Sequence, residues 1–113
     1  MLSIGERINK LRASTNTSLD ALSEYLGVSE YDLRSIENGT ASSITSDIVE
    51  KLSDLYFCSA DYILNGIGTI DIASFDYSGF NKYDLEGIAN IFKAQKNQEE
   101  MDKILDSAEL SEV

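Results

Sequence analysis

A chain of 113 residues, 42% of them hydrophobic, can fill one compact core but not two large ones. It has no histidine and one cysteine, Cys58, which excludes serine–histidine and cysteine–histidine catalysis, a zinc site of histidine and cysteine, and an internal disulfide. Twenty acidic residues against nine basic ones give a net charge of −11, so any polyanionic partner is opposed by the field of the whole molecule.

The first predicted element is a helix over about residues 4–13. Ser3 is placed to cap it, Glu6 completes a capping box three residues on, and Ile4, Ile8 and Leu11 fall on one face. Thr15, Asn16 and Thr17 interrupt the pattern. Ser18 then caps a second helix with Leu19, Leu22 and Leu26 apolar, Gly27-Val28 make a tight turn, and Ser29 caps a third helix that buries Leu33 and Ile36. Asn38-Gly39 stops it, because glycine accepts the left-handed conformation that ends many helices. Two short capped helices across a glycine turn are the pattern of a helix-turn-helix, whose second helix lies in the DNA major groove.

Beyond a loop at 40–44, a fourth helix is predicted over about 46–56 with Ile48, Leu52 and Leu55 inward. Ser59 caps a short fifth helix, 60–64, that ends at Asn65-Gly66. Gly66 and Gly68 have no flanking strand and helix to make a phosphate loop. Residues 66–80 read as a linker or short strand, since Ile67, Ile70, Ile72 and Phe75 only partly alternate. A last helix runs from Tyr83 to about Asn97 with Leu85, Ile88, Ala89 and Phe92 on one side. Residues 99–108, with Met101, Ile104 and Leu105, either continue it or form another helix.

Cys58 follows Tyr56 and Phe57 and reads as a buried thiol suited to a reducing cytoplasm. The absence of an apolar run of ~18 residues and of a signal-peptide pattern points away from membrane insertion and export. The carboxylates spread along amphipathic helices as solvated faces, so neither an enzyme nor a metal or other cofactor is expected.

Residues 4–65 together resemble the Cro and lambda-repressor-like, or XRE, family. The likeness rests on the IGERINKLR opening, LGVS at the turn, IENG after the third helix and SADYIL at the fifth. Five closely spaced helices make an all-α unit over 1–65, followed by the linker at 66–80 and a C-terminal amphipathic helical element at 81–108; the resemblance implies that the five-helix unit is a DNA-binding domain. It also implies a salt bridge between Arg12 and Glu37 that fixes the helix-turn-helix geometry.

Carried across, the family's DNA-facing positions are Ser29, Glu30, Tyr31, Arg34 and Ser35; by their own chemistry Ser18, Asn38 and Thr40 are the remaining phosphate donors, with Lys10 as a further candidate. Arg34 has the geometry for a bidentate bond to guanine or for a phosphate, Glu30 for a cytosine amine, and Tyr31 for a thymine methyl or a phosphate. Glu30 serves equally well as helix N-terminal electrostatics, which is also the better account of Asp32. The sequence departs from the family where DNA would be gripped: Leu19 stands at a position often held by glutamine, and the commonly basic loop after Gly39 is Thr40-Ala41-Ser42-Ser43. The acidity is not confined to the tail, since residues 1–65 hold ten acids and five basic residues and residues 66–113 ten acids and four lysines.

The apolar stripe of the last helix, Leu85, Ile88 and Phe92, requires a cover. It can fold back, pair with a second copy or dock a partner. The tail around Asp84-Leu85-Glu86-Gly87-Ile88-Ala89 is similar to those of mobile-element regulators encoded beside an ImmA/IrrE-like zinc metallopeptidase, which adds such an enzyme as a candidate partner. These readings amount to a cytoplasmic, homodimeric repressor of phage or mobile-element type on double-stranded DNA. The competing class is an antitoxin-like interaction module on the same scaffold with little affinity for DNA.

Overall fold

The structure is a computed structural model and describes residues 2–41, 43–68 and 75–111, with side chains as far as Gln98. Six helices follow in chain order: α1 (Ile4–Ser14), α2 (Leu19–Leu26), α3 (Glu30–Asn38), α4 (Ser46–Leu55), α5 (Ala60–Asn65) and α6 (Lys82–Ser111). No strand occurs among the described residues, and the fold is all-α. The strand-or-linker alternative at 66–80 falls mainly on residues 69–74, which lie outside the described residues.

Each of the first five helices starts where a hydroxyl takes up an orphan amide. Ser3, Ser18, Ser29, Thr45 and Ser59 accept from the backbone N–H three residues ahead. At α1 the capping box is complete, with Glu6 accepting from the Ser3 amide at 3.2 Å and Ser3 Oγ from the Glu6 amide at 3.1 Å. These bonds hold the Glu6 carboxyl below the usual carboxylate range. Asn81 and Asp84 repeat the reciprocal device at the start of α6, at 2.9 and 3.0 Å.

The core is a single cluster. Ile8 and Leu11 of α1, Leu22 of α2, Leu33 of α3, Leu52 and Leu55 of α4 and Ile63 of α5 are all fully buried in it. α1 packs on α3 and α5, α2 on α3, and α4 on α2 and α5. Gly5 lets α1 and α3 touch through their backbones. A Cβ built there would stand 2.3 Å from the Ile36 carbonyl oxygen and 2.6 Å from that of Glu37.

The last helix does not stand apart from this bundle. α6 lies across α2 and α4, and Leu85, fully buried, and Ala89, at 4%, belong to the same core. Phe92 packs against Phe57 and Phe75, with ring centroids 5.1 and 5.5 Å away. Lys96 Nζ donates to the carbonyls of Ser53 at 2.8 Å and Cys58 at 3.1 Å. The approach to α6 is pinned by Tyr77, whose amide donates to the Thr15 carbonyl at 2.7 Å and whose hydroxyl donates to that of Leu55 at 2.9 Å. Residues 99–108 continue α6 as one helix rather than forming a separate one.

Polar groups inside the bundle are matched to one another. Tyr56 Oη donates to Thr17 Oγ1 at 3.0 Å, and Thr17 pairs with Thr15 at 2.6 Å. Burial pushes the Tyr56 phenol up to about 12 despite those bonds. Among the described residues no buried side-chain nitrogen or oxygen lacks a hydrogen bond.

Candidate nucleic-acid interface

Three features hold α3 in place from its inner side. Leu33 and Ile36 enter the core. Gly27 and Gly39 end α2 and α3 with φ of 76° each, in the left-handed region that a Cβ disfavours. Arg12 grips Glu37 in a fork, Nε to Oε2 at 2.8 Å and Nη2 to Oε1 at 3.1 Å. This pairing raises the Arg12 guanidinium above its ordinary range. Asn9 Nδ2 adds a third donor to Glu37 at 2.8 Å. The pair joins α1 to the end of α3, and with both charges spent on each other its work is positional.

The outer side of α3 presents Glu30, Tyr31, Arg34 and Asn38, all exposed and, at ~100° per residue, within an arc of about 100° of the helix. Tyr31 is 78% exposed, an unusual cost for an aromatic ring that covers nothing else. Arg34 makes no ion pair among the described residues. Asp32 and Ser35 lie round the helix, where with Tyr31, Thr40 and Ser43 they rim a cleft floored by Val28, Ile36 and Ile48.

The hydroxyls expected to touch DNA divide into two kinds. Ser18 and Ser29 accept from the amides of Ala21 and Asp32 as caps, at 3.1 and 3.0 Å, which leaves their own protons to donate outward. Ser35 and Thr40 spend theirs internally. Ser35 Oγ donates to the Tyr31 carbonyl at 3.0 Å, and Thr40 Oγ1 to the Ser35 carbonyl at 3.3 Å. In this conformation those two side chains can only accept, which suits a base amine and not a phosphate.

The cations of residues 1–65 are similarly reduced. Arg7, only 5% exposed, is wholly structural. It donates to the carbonyls of Ile63 at 2.9 Å, Leu64 at 2.8 Å and Leu2, and so caps the C-terminal end of α5. Arg12 is committed to Glu37, and Lys51 stands 3.5 Å from Asp47 one turn away. Lys10 and Arg34 remain, and Lys10 shares a surface cleft with Asn38 at the end of α3. In the sequence Arg7 is one of five basic residues over 1–65 and nothing in the charge count sets it apart. Its signal was an arginine beside a capping-box glutamate on the apolar side of α1, a position where a solvated charge does not belong.

The three residues proposed from sequence as a dimer or partner stripe have covers within the chain. Leu85 is fully buried, Ile88 is partly buried against the core, and Phe92 sits among aromatic rings. Of fold-back, pairing and docking, fold-back is what this helix face does. Among the described residues no three metal-binding side chains cluster, and no helix is long and apolar enough to cross a membrane. Cys58 is buried, and burial pushes its thiol up to about 11 even with Lys96 nearby, so it is a packing residue.

Two capped helices joined through Gly27, with an exposed second helix on a buried scaffold, define the class of helix-turn-helix DNA-binding domains. The profile of the helix-turn-helix domain family matches residues 5–69, which is more than half of the 113 residues. The chain belongs to this family, and with it to the DNA-binding regulators in general. No curated protein and no solved structure matches the chain.

Proposed function

We propose that the chain is a cytoplasmic transcriptional repressor of the Cro-like kind, from a phage or mobile element. It reads operator DNA as a homodimer, with α3 in the major groove. The observation that carries this is the outer face of α3: an arginine and a largely exposed tyrosine stand unpaired on a helix whose other side is locked by Leu33, Ile36 and Glu37. Arg34 supplies the fork for guanine, Tyr31 the apolar face for a thymine methyl, and Ser18, Ser29 and Lys10 the outward donors that set register on the phosphates.

The test is binding of the chain to the DNA upstream of its own gene. Arg34→Ala and Tyr31→Ala together change only exposed side chains, so the fold survives. Loss of bidentate and methyl contacts should cost about 1–3 kcal/mol each, or roughly tenfold or more in affinity. Undiminished specific binding by the double variant would show that α3 does not read the groove.

One observation favours a second reading, an interaction module that has kept the scaffold and lost its grip. Glu30 and Asp32 open the exposed helix, and residues 40–43 carry no cation. On that reading the wild-type chain binds no DNA even at low salt and co-purifies with a neighbour-encoded protein. The metallopeptidase suggested by the tail is a candidate for that neighbour on its sequence motif alone.

A further inference from the structure

Among the described residues two besides glycine hold the left-handed backbone, Asn16 at φ 56° and Phe57 at φ 50°. A side chain disfavours that region, a bulky one most, and such residues persist where their surroundings over-determine them. In both cases the C-terminal part of the chain is among those surroundings. Asn16 Nδ2 donates to Asp76 Oδ1 at 3.2 Å, and the Phe57 ring packs on Phe92 of α6. Asn16 is the middle of the corner between α1 and α2, and the carbonyls on either side of it take different donors. That of Thr15 accepts the Tyr77 amide at 2.7 Å, and that of Thr17 accepts Arg12 Nη1 at 3.3 Å. The Thr17 amide in turn donates to the Arg12 carbonyl at 3.0 Å. The hydroxyls of Thr15 and Thr17 are joined to each other, and Thr17 to Tyr56, whose ring stacks on that of Tyr77 with centroids 5.8 Å apart. From this corner the Arg12 fork reaches Glu37 in the last turn of α3.

We propose that the corner 15–17 is a joint through which Asp76 and Tyr77 position α3. With Tyr77 seated, the corner is held from the C-terminal side, and it holds Arg12, which holds Glu37. Lifted from that seat, the Thr15 carbonyl and the Asn16 amide lose their partners, the left-handed turn relaxes, and the Thr17 carbonyl no longer fixes Arg12. The end of α3 is then loosened by a change that never touches α3, along a continuous run of hydrogen bonds. Asp76 and Tyr77 lie beyond residues 5–69 that the family profile covers, so the joint is an addition to the helix-turn-helix unit. α2 offers a competing route, because it packs on both α3 and α6. The two routes separate at Asp76 and Tyr77, which precede α6 and leave the seat of Leu85, Ala89 and Phe92 in place. Tyr31 and Arg34 stay exposed with the segment seated, so the device acts on the orientation of the reading helix and not by covering it.

The effect on DNA affinity rests on groove reading by α3, as proposed above; the joint itself does not. The chain has three arginines, and their Nε protons report on separate places. That of Arg12 is bonded to Glu37 and that of Arg7 to the Ile63 carbonyl. Solvent exchange of both is followed by nuclear magnetic resonance on the full chain without DNA. The variants are Tyr77→Phe, which gives up only the hydroxyl bond to the Leu55 carbonyl, and Asp76→Ala, an exposed change that spares the core. In each the Arg12 proton should exchange about fivefold faster or more, with the Arg7 proton unchanged. Coupling runs both ways, so Glu37→Gln should speed exchange of the Tyr77 amide. An Arg12 proton that stays slow in both variants overturns the joint. Equal acceleration of the Arg7 and Arg12 protons also overturns it, because that is loosening of the whole fold. With DNA from upstream of its gene, Tyr77→Phe should bind about fivefold more weakly with the same base preference. A chain that shows the coupled exchange and ignores DNA keeps the joint and removes the repressor reading. Specific binding at full strength in both variants, with a slow Arg12 proton, removes the joint and keeps that reading.

Discussion

Two arginines that look alike in the sequence have opposite fates. Arg7 sits inside, with three bonds to carbonyls at the end of α5 and the N-terminal segment. Arg34 sits outside with no ion pair among the described residues. Replacing Arg7 by alanine leaves those buried carbonyls without donors and opens space beside Ile63, and should cost about 3 kcal/mol of stability. Replacing Arg34 should change stability by less than about 0.5 kcal/mol, since an exposed side chain contributes little packing. Urea unfolding of both variants beside the wild type separates them, and equal losses would mean that the carbonyl cap on α5 carries no weight. The distinction was only half legible in the sequence. Arg34 follows from the family position. Arg7 requires knowing that the end of α5 returns to the first turn of α1, a contact 56 residues distant that periodicity does not report.

At the scale of elements, local chemistry wrote the boundaries. Ser3, Ser18, Ser29 and Ser59 marked four starts, and Gly39 and Gly66 two stops, because capping is decided within one turn of the helix. What could not be read was the partner of α6, since an apolar stripe states that a cover is needed without naming it. The cover is α2 and α4, and its edge is polar. Lys96 ends the buried stripe by donating to the carbonyls of Ser53, in the last turn of α4, and of Cys58 just beyond it, while its Nζ stands over the Phe57 ring, 5.7 Å from the centroid. In the sequence nothing around Lys96 sets it apart from a solvated lysine. Lys96→Met keeps the stem and removes the donors, and should cost about 1–2 kcal/mol. The loss should show as faster amide exchange in the first half of α6, with α3 protected as before. Unchanged exchange there would mean that the aromatic contacts of Phe92 hold the helix unaided.

For the whole molecule, the question is whether a chain of net charge −11 can hold DNA. Charges more than about 8–10 Å from a phosphate are screened at physiological salt, so the total matters less than the cations within reach of the groove. Those are few. Arg7 and Arg12 are committed to carbonyls and to Glu37, Lys51 to Asp47, and Lys96 to the end of α4. Lys10 and Arg34 are left near α3, or four cations in a dimer. Each phosphate neutralised contributes about −0.9 to the slope of log affinity against log salt, so a dimer should show a slope of roughly −4 or shallower. Where Arg34 contacts a guanine rather than a phosphate, the slope falls toward about −2. Such a protein has weak non-specific binding, because that binding is almost wholly electrostatic, and it must take its discrimination from base contacts and from the joining of two half-sites. The measurement is a titration of operator DNA at several salt concentrations, repeated for Lys10→Ala, which should make the slope shallower by nearly two per dimer without changing base preference. A slope near −8 would require cations that the structure does not place near the groove, and would move the DNA-binding surface off α3.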